Sequence, residues 1–311
     1  AGFLAVRGDG SVTWFRIERD KDSKPVLTCS EKPRTAGAAQ KCEGDFVMRG
    51  AEEDPLGEDP FAIDIFHDRN KDRDFVLAGS IDAGTVALFS IDGDSKPAFE
   101  GNTFISRGIH SIKSHPQSGD IYITSRFINM IFTAGINYKT DQKGEEPEIT
   151  SGIPVAVSTV YGSSYSNADY ARGIVFGSEG SRCYVSFRAP SSLLIFDTSI
   201  ENGSPRNLLT GIIPLERSPA GLAVIRNGEG GSDMIYAVSF ETDSVWVIDP
   251  DKMLVVDSIK VGNGPYSIVS VKRDDLNLWR AYVTNFNGHS VSVIDVDPLS
   301  PYFNNHISEI R

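Results

Sequence analysis

A two-strand pattern recurs along this chain at near-constant spacing. In its clearest copy, residues 281–285 read Ala-Tyr-Val-Thr-Asn and residues 290–295 read Ser-Val-Ser-Val-Ile-Asp. Residues 235–239 and 244–249 repeat it as Ile-Tyr-Ala-Val-Ser and Ser-Val-Trp-Val-Ile-Asp. A supersecondary unit that recurs at a fixed period predicts an architecture built by repeating one small sheet.

Weaker copies of the same hairpin precede these two. Their apolar residues are β-branched or aromatic and their turns are polar or contain glycine, as a half-buried strand pair requires. They lie at residues 3–15, 75–92, 121–132 and 183–197.

Most hairpins also have an upstream partner and a variable segment downstream. The upstream segments begin with small or turn-forming residues, which suit a strand that is crowded against a central axis. They lie at residues 59–65, 107–112, 171–176, 218–224 and 264–269. Four strands per repeat of roughly 40 to 50 residues favour a β-propeller over the alternative, a β-sandwich whose strands resemble each other by accident.

The repeat resembles a known family. Residues 282–285 and 290–295, preceded by Gly-Pro-Tyr-Ser-Ile at 264–268, look like the YVTN family of β-propeller repeats. The resemblance implies an all-β propeller of four-stranded antiparallel blades, commonly seven, in a secreted or surface protein of bacterial or archaeal type. Only six hairpins are recognised, so either the ring has six blades or the seventh lies in the insertion at 139–160 or in absent flanks. We expect seven.

The whole chain, residues 1–311, is expected to form one propeller domain. Ala1 is not a start methionine, and the register places the first residues on the second strand of a blade. We therefore expect flanking sequence to be missing, and with it any signal peptide or lipid anchor upstream.

Two of the three cysteines lie in a polar insertion at residues 20–45. A bridge between Cys29 and Cys42 would order this loop by restricting its unfolded ensemble, and it predicts an oxidising compartment. Free surface thiols are the alternative. Cys183 occupies a strand position and is expected to be a small buried hydrophobe. The predicted location is periplasmic, outer-membrane-associated or extracellular.

Charge and hydropathy exclude two classes of partner. The net charge of −12 argues against a nucleic-acid surface, because phosphate binding requires clustered lysines and arginines. No segment reaches the roughly 18 to 20 consecutive apolar residues of a membrane span.

A weak calcium hypothesis rests on Asp68, Asn70 and Asp72. Oxygen-bearing side chains at alternate positions resemble the start of a calcium loop. However, the sixth position is Arg73 where glycine is expected, and the twelfth is Gly79 where glutamate is expected. The same residues would serve as a turn without metal, and no other cofactor is predicted.

Ligand contacts are expected at one mouth of the ring. His110 lies on an expected innermost strand near Arg107, and Arg172 and Arg217 are expected to begin equivalent strands. Together these residues could hold an anionic group. Alternatively, the arginines pair with acidic residues of neighbouring blades.

A contact loop is expected at residues 160–170, which are rich in Tyr, Ser and Asn. Tyr161, Tyr165, Asn167 and Tyr170 are the candidate partner-binding residues, because Tyr offers large contact area at small entropic cost. The alternative is an ordinary loop between blades.

Two functional classes remain. The favoured one is a non-catalytic secreted or envelope platform that binds a protein, glycan or small ligand, either alone or as a subunit of a larger assembly. The alternative is a redox or hydrolytic propeller enzyme, similar to quinoprotein dehydrogenases or lactonases. The sequence contains no haem motif, metal cluster or nucleophile elbow, which disfavours the enzyme.

Overall fold

The computed structural model describes residues 2–7, 9–19, 23–30, 42–52, 55–93, 95–141, 144–157, 171–226, 232–273 and 278–311. These residues contain strands and one 3₁₀ turn (Gly44–Phe46), and no α-helix. The predicted all-β class is therefore confirmed. Within the same residues, no helix has the length and apolar character needed to cross a membrane.

The strands form six principal sheets, called blades 1 to 6 in chain order. Blades 1 to 3 contain β1 (Gly2–Val6), β2 (Ser11–Arg19), β3 (Pro25–Thr28) and β4 (Val47–Met48); β5 (Pro60–Asp68), β6 (Arg73–Ser80), β7 (Thr85–Ile91) and β8 (Ala98–Phe104); and β9 (Ile109–Ser114), β10 (Ile121–Ser125), β11 (Met130–Asp141), β12 (Gly144–Ser151) and β13 (Val155–Ala156). Blades 4 to 6 contain β14 (Ala171–Phe176), β15 (Arg182–Arg188), β16 (Ser191–Asp197) and β19 (Leu208–Pro214); β20 (Pro219–Arg226), β21 (Asp233–Ser239), β22 (Ser244–Asp249) and β23 (Leu254–Lys260); and β24 (Pro265–Arg273), β25 (Leu278–Asn285), β26 (Ser290–Asp295) and β27 (Asn305–Ile310). A small ribbon of β17 (Ile200–Glu201) and β18 (Ser204–Pro205) precedes β19.

Every pairing within the blades is antiparallel, and the blades are those of a β-propeller. The expectation of seven blades is wrong for the described residues, which form six. The insertion at 139–160, offered as the site of a seventh blade, instead prolongs β11 to Asp141 and supplies β12 as another strand of blade 3.

Contacts between backbone positions divide the chain into two compact units. Unit 1 comprises residues 1–114, 119–125 and 132–154, and unit 2 comprises residues 115–118, 126–131 and 155–311. The single domain over residues 1–311 stays a prediction. Each unit is described by itself below.

In unit 1, neighbouring blades are held together by apolar side chains. β1 packs on β5, and both β5 and β6 pack on β9. Trp14 and Phe46 stack with ring centroids 4.6 Å apart in the first of the two cores. Phe75 and Leu77 of β6 are fully buried in the second core, which also contains inner-strand residues of β9. The inner strands are therefore fixed from both sides by packing.

Unit 2 repeats this arrangement. The inner strand β20 packs between β14 and β24. Tyr236 and Val245 lie in a core that also takes Ile268 from the next blade. The phenol of Tyr236 donates a hydrogen bond to the Asn304 side chain at 2.6 Å, and burial raises its pKa. It is therefore a structural group and stays protonated at neutral pH.

The aspartate that ends the repeated hairpin stabilises the following turn. Asp197 accepts hydrogen bonds from the Ser199 hydroxyl at 2.6 Å and the Ser199 amide at 2.9 Å. Asp249 accepts the Lys252 ammonium at 2.8 Å and the amides of Asp251 and Lys252. The hydrogen bonds from Ser199 and from Lys252, respectively, lower the pKa of these two carboxyls. Asp197 and Asp249 are thus structural residues.

We expect these two aspartates to make the fold acid-sensitive. A carboxyl whose pKa is lower in the folded chain contributes stability above its unfolded pKa of about 3.9, and this stability is lost as pH falls through the folded value. Urea unfolding at pH 7 and pH 3 should show weaker stability at pH 3. Asp249→Asn should show a smaller difference between the two pH values; an unchanged difference would contradict the assignment.

The disulfide predicted between Cys29 and Cys42 is confirmed, with 4.8 Å between the Cα atoms. Cys29 is buried and packs in the core around Trp14, so the bridge ties the insertion to unit 1. Cys183 is 1% exposed, which confirms it as a buried hydrophobe. Burial raises the pKa of its thiol, as is usual for a structural cysteine in an apolar core.

Removal of the bridge should destabilise the chain. A closed loop of this length restricts the unfolded chain by roughly 3 kcal/mol. Replacing both Cys29 and Cys42 by Ser should therefore lower the free energy of unfolding by about that amount in denaturant titrations. Cys183→Ser serves as a control for thiol loss without loss of a bridge: its free energy of unfolding should fall on addition of reductant as that of the wild-type chain does, whereas that of the double variant should not change.

Candidate functional site

A shift of strand register recurs at one end of five inner strands. In blade 3, Ile109 pairs with Ser125 but Ser111 pairs with Thr124, so the residue between them, His110, has no counterpart. The same two-against-one irregularity occurs in blades 2, 4, 5 and 6. In each of these blades, one residue directly follows the first paired residue of the inner strand. These residues are Phe61, His110, Arg172, Ala220 and Tyr266. Bulges change the direction of side chains and are frequent beside active sites. We call this end of the blades the bulge end.

The backbone just before these bulges is held in a repeated way. In blades 2, 3 and 5, a serine hydroxyl at the end of the second strand donates to a carbonyl oxygen ahead of the inner strand. The pairs are Ser80 with Glu58, Ser125 with Arg107 at 2.8 Å and Ser239 with Arg217 at 2.5 Å. This shared bond places Arg107 and Arg217 equivalently in their blades, as the sequence predicts. Arg172 differs from Arg107 and Arg217, because it is the bulge residue of its inner strand, as His110 is in blade 3.

The residue preceding the inner strand is in the left-handed region of backbone space in four blades. Gly108 and Gly264 adopt it with φ of 79° and 64°, and Asp59 and Ser218 adopt it with φ of 62° and 54°. A non-glycine residue pays a free-energy cost in this conformation, and such strain concentrates at functional sites. The backbone therefore enters the bulge end with the same conformation in these four blades.

In unit 1, four side chains gather at the bulge end. Asp59 forms a two-pronged salt bridge with Arg7, both bonds being 2.6 Å long. The Arg7 guanidinium lies 5.4 Å from the Phe61 ring centre, and the Phe61 ring lies 4.9 Å from the His110 ring. His110 is 8% exposed. The cluster therefore presents a nearly buried imidazole beside an aromatic face and a guanidinium that Asp59 orients.

Arg107 adds an available positive charge. Its side chain is exposed three residues before His110, while its carbonyl is bound by Ser125 and by Ser106 at 3.1 Å. Among the described residues its guanidinium has no ion-pair or hydrogen-bond partner. Backbone bonds thus fix the position of Arg107 while its charge stays open to a ligand.

Sequence reasoning found His110 and Arg107 but missed three members of this cluster. The Arg7–Asp59 pair joins residues 52 positions apart, which no local pattern reveals. Phe61 appears in the sequence as an ordinary strand aromatic. The one available signal was Asp59 at the position where Gly108 and Gly264 stand in other repeats.

In unit 2, Arg172 and Arg217 also lie at the bulge end. Arg172 is 5% exposed on β14, and Gly173 beside it donates to the Ser186 hydroxyl at 2.8 Å. Ser186 in turn donates to the carbonyl of Ala220 at 2.6 Å, which links the bulges of blades 4 and 5. Arg217 is exposed ahead of β20. The binding role of Arg107, His110, Arg172 and Arg217 stays a prediction.

The expected calcium ligands lie at the opposite end of blade 2. The carboxylate of Asp68 accepts the Tyr138 hydroxyl at 2.5 Å and the Asn70 amide at 2.9 Å. The Asp72 side chain is 97% exposed. No group of three or more His, Cys, Asp and Glu suited to a metal occurs in the described part of the chain. Calcium binding by Asp68, Asn70 and Asp72 stays a prediction.

The candidate contact loop lies outside the described residues. This applies to Tyr161, Tyr165, Asn167 and Tyr170 alike.

Solved structures with a similar fold include several with enzyme names. A periplasmic gluconolactonase of Pseudomonas aeruginosa, PpgL, is 15% identical, with a TM-score of 0.55 over 82% of this chain and 71% of that one. A proposed 6-phosphogluconolactonase of Bacteroides uniformis is 16% identical, with a TM-score of 0.56 over 84% of this chain and 68% of that one. The dihydro-heme d1 dehydrogenase NirN is 15% identical, with a TM-score of 0.54 over 99% of this chain and 63% of that one. No family model and no curated protein matches the chain.

These neighbours correct the favoured functional class. The sequence favoured a non-catalytic platform, whereas the names among the neighbours are those of lactonases and a dehydrogenase. The platform expectation is therefore wrong as the leading interpretation, and the enzyme alternative is better supported. The sequence disfavoured the enzyme because it contains no catalytic motif. Catalytic groups that a fold brings together from separate blades leave no such motif. At these identities the similarity itself establishes the fold alone.

Proposed function

We propose that this chain is a hydrolase of lactones, with its reacting groups at the bulge end of unit 1. The observation that carries the proposal is the His110 imidazole, nearly buried at a bulge and packed against Phe61, with the Arg7–Asp59 pair adjoining. A histidine held in a sheltered site is the commonest general base in enzymes. The names of the gluconolactonase neighbours favour a cyclic sugar ester as the substrate.

The proposed chemistry requires one base and one cation. His110 accepts a proton from water as the water oxygen adds to the lactone carbonyl, and a tetrahedral oxyanion forms. A guanidinium stabilises the charge on that oxygen. The ring C–O bond then breaks, and the imidazolium returns its proton to the leaving oxygen, which gives the open hydroxy acid. Water is thus consumed, and His110 ends neutral as it began.

The arginines of the cluster have different roles in this scheme. Arg7 is held by Asp59 and positions Phe61 through its contact with the ring. Arg107, whose charge is unpaired among the described residues, is the better group to contact the developing oxyanion or a carboxylate of the product. A guanidinium pairs with such planar anions through two parallel hydrogen bonds.

An extracytoplasmic location is part of the proposal. The Cys29–Cys42 bridge persists in oxidising compartments and is rare in the cytosol. The Pseudomonas aeruginosa neighbour is named as periplasmic. Membership of the YVTN repeat family is proposed on the repeat residues alone.

Hydrolysis of glucono-1,5-lactone by the purified chain tests the function. Acid release in a pH-stat, corrected for the spontaneous reaction, should rise in proportion to protein concentration. Arg107→Gln should raise KM or lower kcat, and Arg69→Gln, which removes an exposed arginine at the opposite end of blade 2, should do neither. Acid release at the spontaneous rate for glucono-1,5-lactone and for its 6-phosphate would contradict the proposal.

A further inference from the structure

Three aromatic rings follow one another at the bulge end of unit 2. Phe240 and Phe286 are the residues just after β21 and β25, and Tyr266 is the bulge residue of β24. The ring centres of Phe240 and Tyr266 lie 6.3 Å apart, and those of Tyr266 and Phe286 lie 6.5 Å apart. Phe286 is 69% exposed. We call these three residues the aromatic row.

Two arginines are associated with the Phe240 end of the aromatic row. The Arg188 guanidinium lies 5.9 Å from the centre of the Phe240 ring. Arg217 is placed by the bond from Ser239, the neighbour of Phe240, to its carbonyl. The nearby carboxylate of Glu241 accepts the Ser218 hydroxyl. Arg188 therefore brings positive charge to the Phe240 end of the row, and Arg217 lies exposed in the segment ahead of β20, whose backbone is bonded to the residue beside Phe240.

These two arginines differ from other arginines of unit 2. At the opposite end, Arg182 pairs with Asp251 at 2.5 Å, Arg226 with Glu179 at 2.7 Å and Arg280 with Asp295 at 2.8 Å. In the part of the chain that the structure describes, neither Arg188 nor Arg217 has a carboxylate partner. In a chain with 42 acidic residues and a net charge of −12, two arginines without a carboxylate partner beside an aromatic surface indicate an anionic ligand.

We propose that the aromatic row, with Arg188 and Arg217, binds an acidic carbohydrate that contains uronic acid residues. The C–H face of a sugar ring carries partial positive charge and packs on the negative face of an aromatic ring. A uronate carboxylate fits the two-pronged geometry of a guanidinium. A chain of uronic acids carries one negative charge per sugar, and the site offers two arginines beside three rings. A nucleic acid requires a denser basic surface than this acidic chain offers.

The test of this site does not depend on the hydrolysis proposed for unit 1, because it measures binding and not turnover. Isothermal titration with trigalacturonate should show saturable binding, whereas the neutral trisaccharide galactotriose should bind at least tenfold more weakly. Because charged hydrogen bonds are lost, Arg188→Gln and Arg217→Gln should each weaken trigalacturonate binding about tenfold. Phe286→Ala should weaken it several-fold without loss of folding, since the ring is largely exposed.

Controls separate this site from non-specific attraction. Arg69→Gln removes one positive charge in unit 1 and should leave the affinity unchanged. Equal affinity for the neutral and the acidic trisaccharide would overturn the role of the arginines. Equal loss in Arg69→Gln, full competition by phosphate at a similar concentration, or absence of binding by trigalacturonate would each overturn the proposal.

Discussion

The variant His110→Gln should lose most of its lactone hydrolysis while keeping its fold. Glutamine matches the approximate size of the imidazole and can contact Phe61, but it cannot take a proton from water. Loss of a general base costs about 10²- to 10⁴-fold in rate, so kcat should fall by that factor. The melting temperature should change little, and substrate binding should persist because the arginines are unaltered.

A second histidine in the same unit provides the control. His67 lies near the opposite end of β5, where it is about half exposed and pairs with Asp74 at 2.7 Å. His67→Gln should keep the wild-type rate. If His110→Gln retained full activity, or if its loss of activity followed a loss of folded protein, the assignment of the base would be wrong.

The variant Asp295→Ala should be severely destabilised. The Asp295 side chain is 1% exposed and accepts the Arg280 guanidinium at 2.8 Å, the Ser300 hydroxyl at 2.6 Å and the Asp297 amide at 3.1 Å. Removing one partner leaves the largely buried charge of Arg280 uncompensated, which costs about 3–5 kcal/mol. The free energy of unfolding in urea should fall by that amount.

The matching aspartate of blade 2 serves as the control. Asp92 is exposed, and its backbone carbonyl accepts a hydrogen bond from the Ser95 amide. Asp92→Ala should therefore change the free energy of unfolding by no more than about 0.5 kcal/mol. Similar losses in both variants would show that the repeated Asp acts through a feature shared by all blades, contrary to the account given for Asp295.

Much of the fold could be predicted from the sequence because the repeated segments consist of residues with high strand propensity. The alternation of apolar and small residues in residues 235–239 defines a strand that is buried on both faces, and in residues 281–285 it defines a strand that buries Ala281 and Val283 in the core shared with blade 5. The Cys29–Cys42 bridge was also predictable, since both cysteines lie in one polar insertion. The blade count was not, because the number of blades depends on tertiary pairing of segments such as residues 144–151, whose pattern is weak.

The candidate site was less predictable for a physical reason. His110 could be found because it interrupts an apolar inner strand. The Arg7–Asp59 pair and the contact between Arg7 and Phe61 depend on how blade 1 packs on blade 2, which no sequence spacing shows. The bulges themselves depend on a register shift at the strand end, and the sequence before them varies from Asp-Pro to Gly-Pro and Ser-Pro.

The most direct test of the central claim is a histidine NMR titration with gluconolactam, a stable analogue of the lactone. The claim predicts that the ring signals of His110, assigned by their loss in His110→Gln, shift in a saturable manner. It also predicts that the signals of His67 and His306 stay in place. If the analogue bound without moving the His110 signals, or moved those of His67 instead, the bulge end of unit 1 would not be the active site.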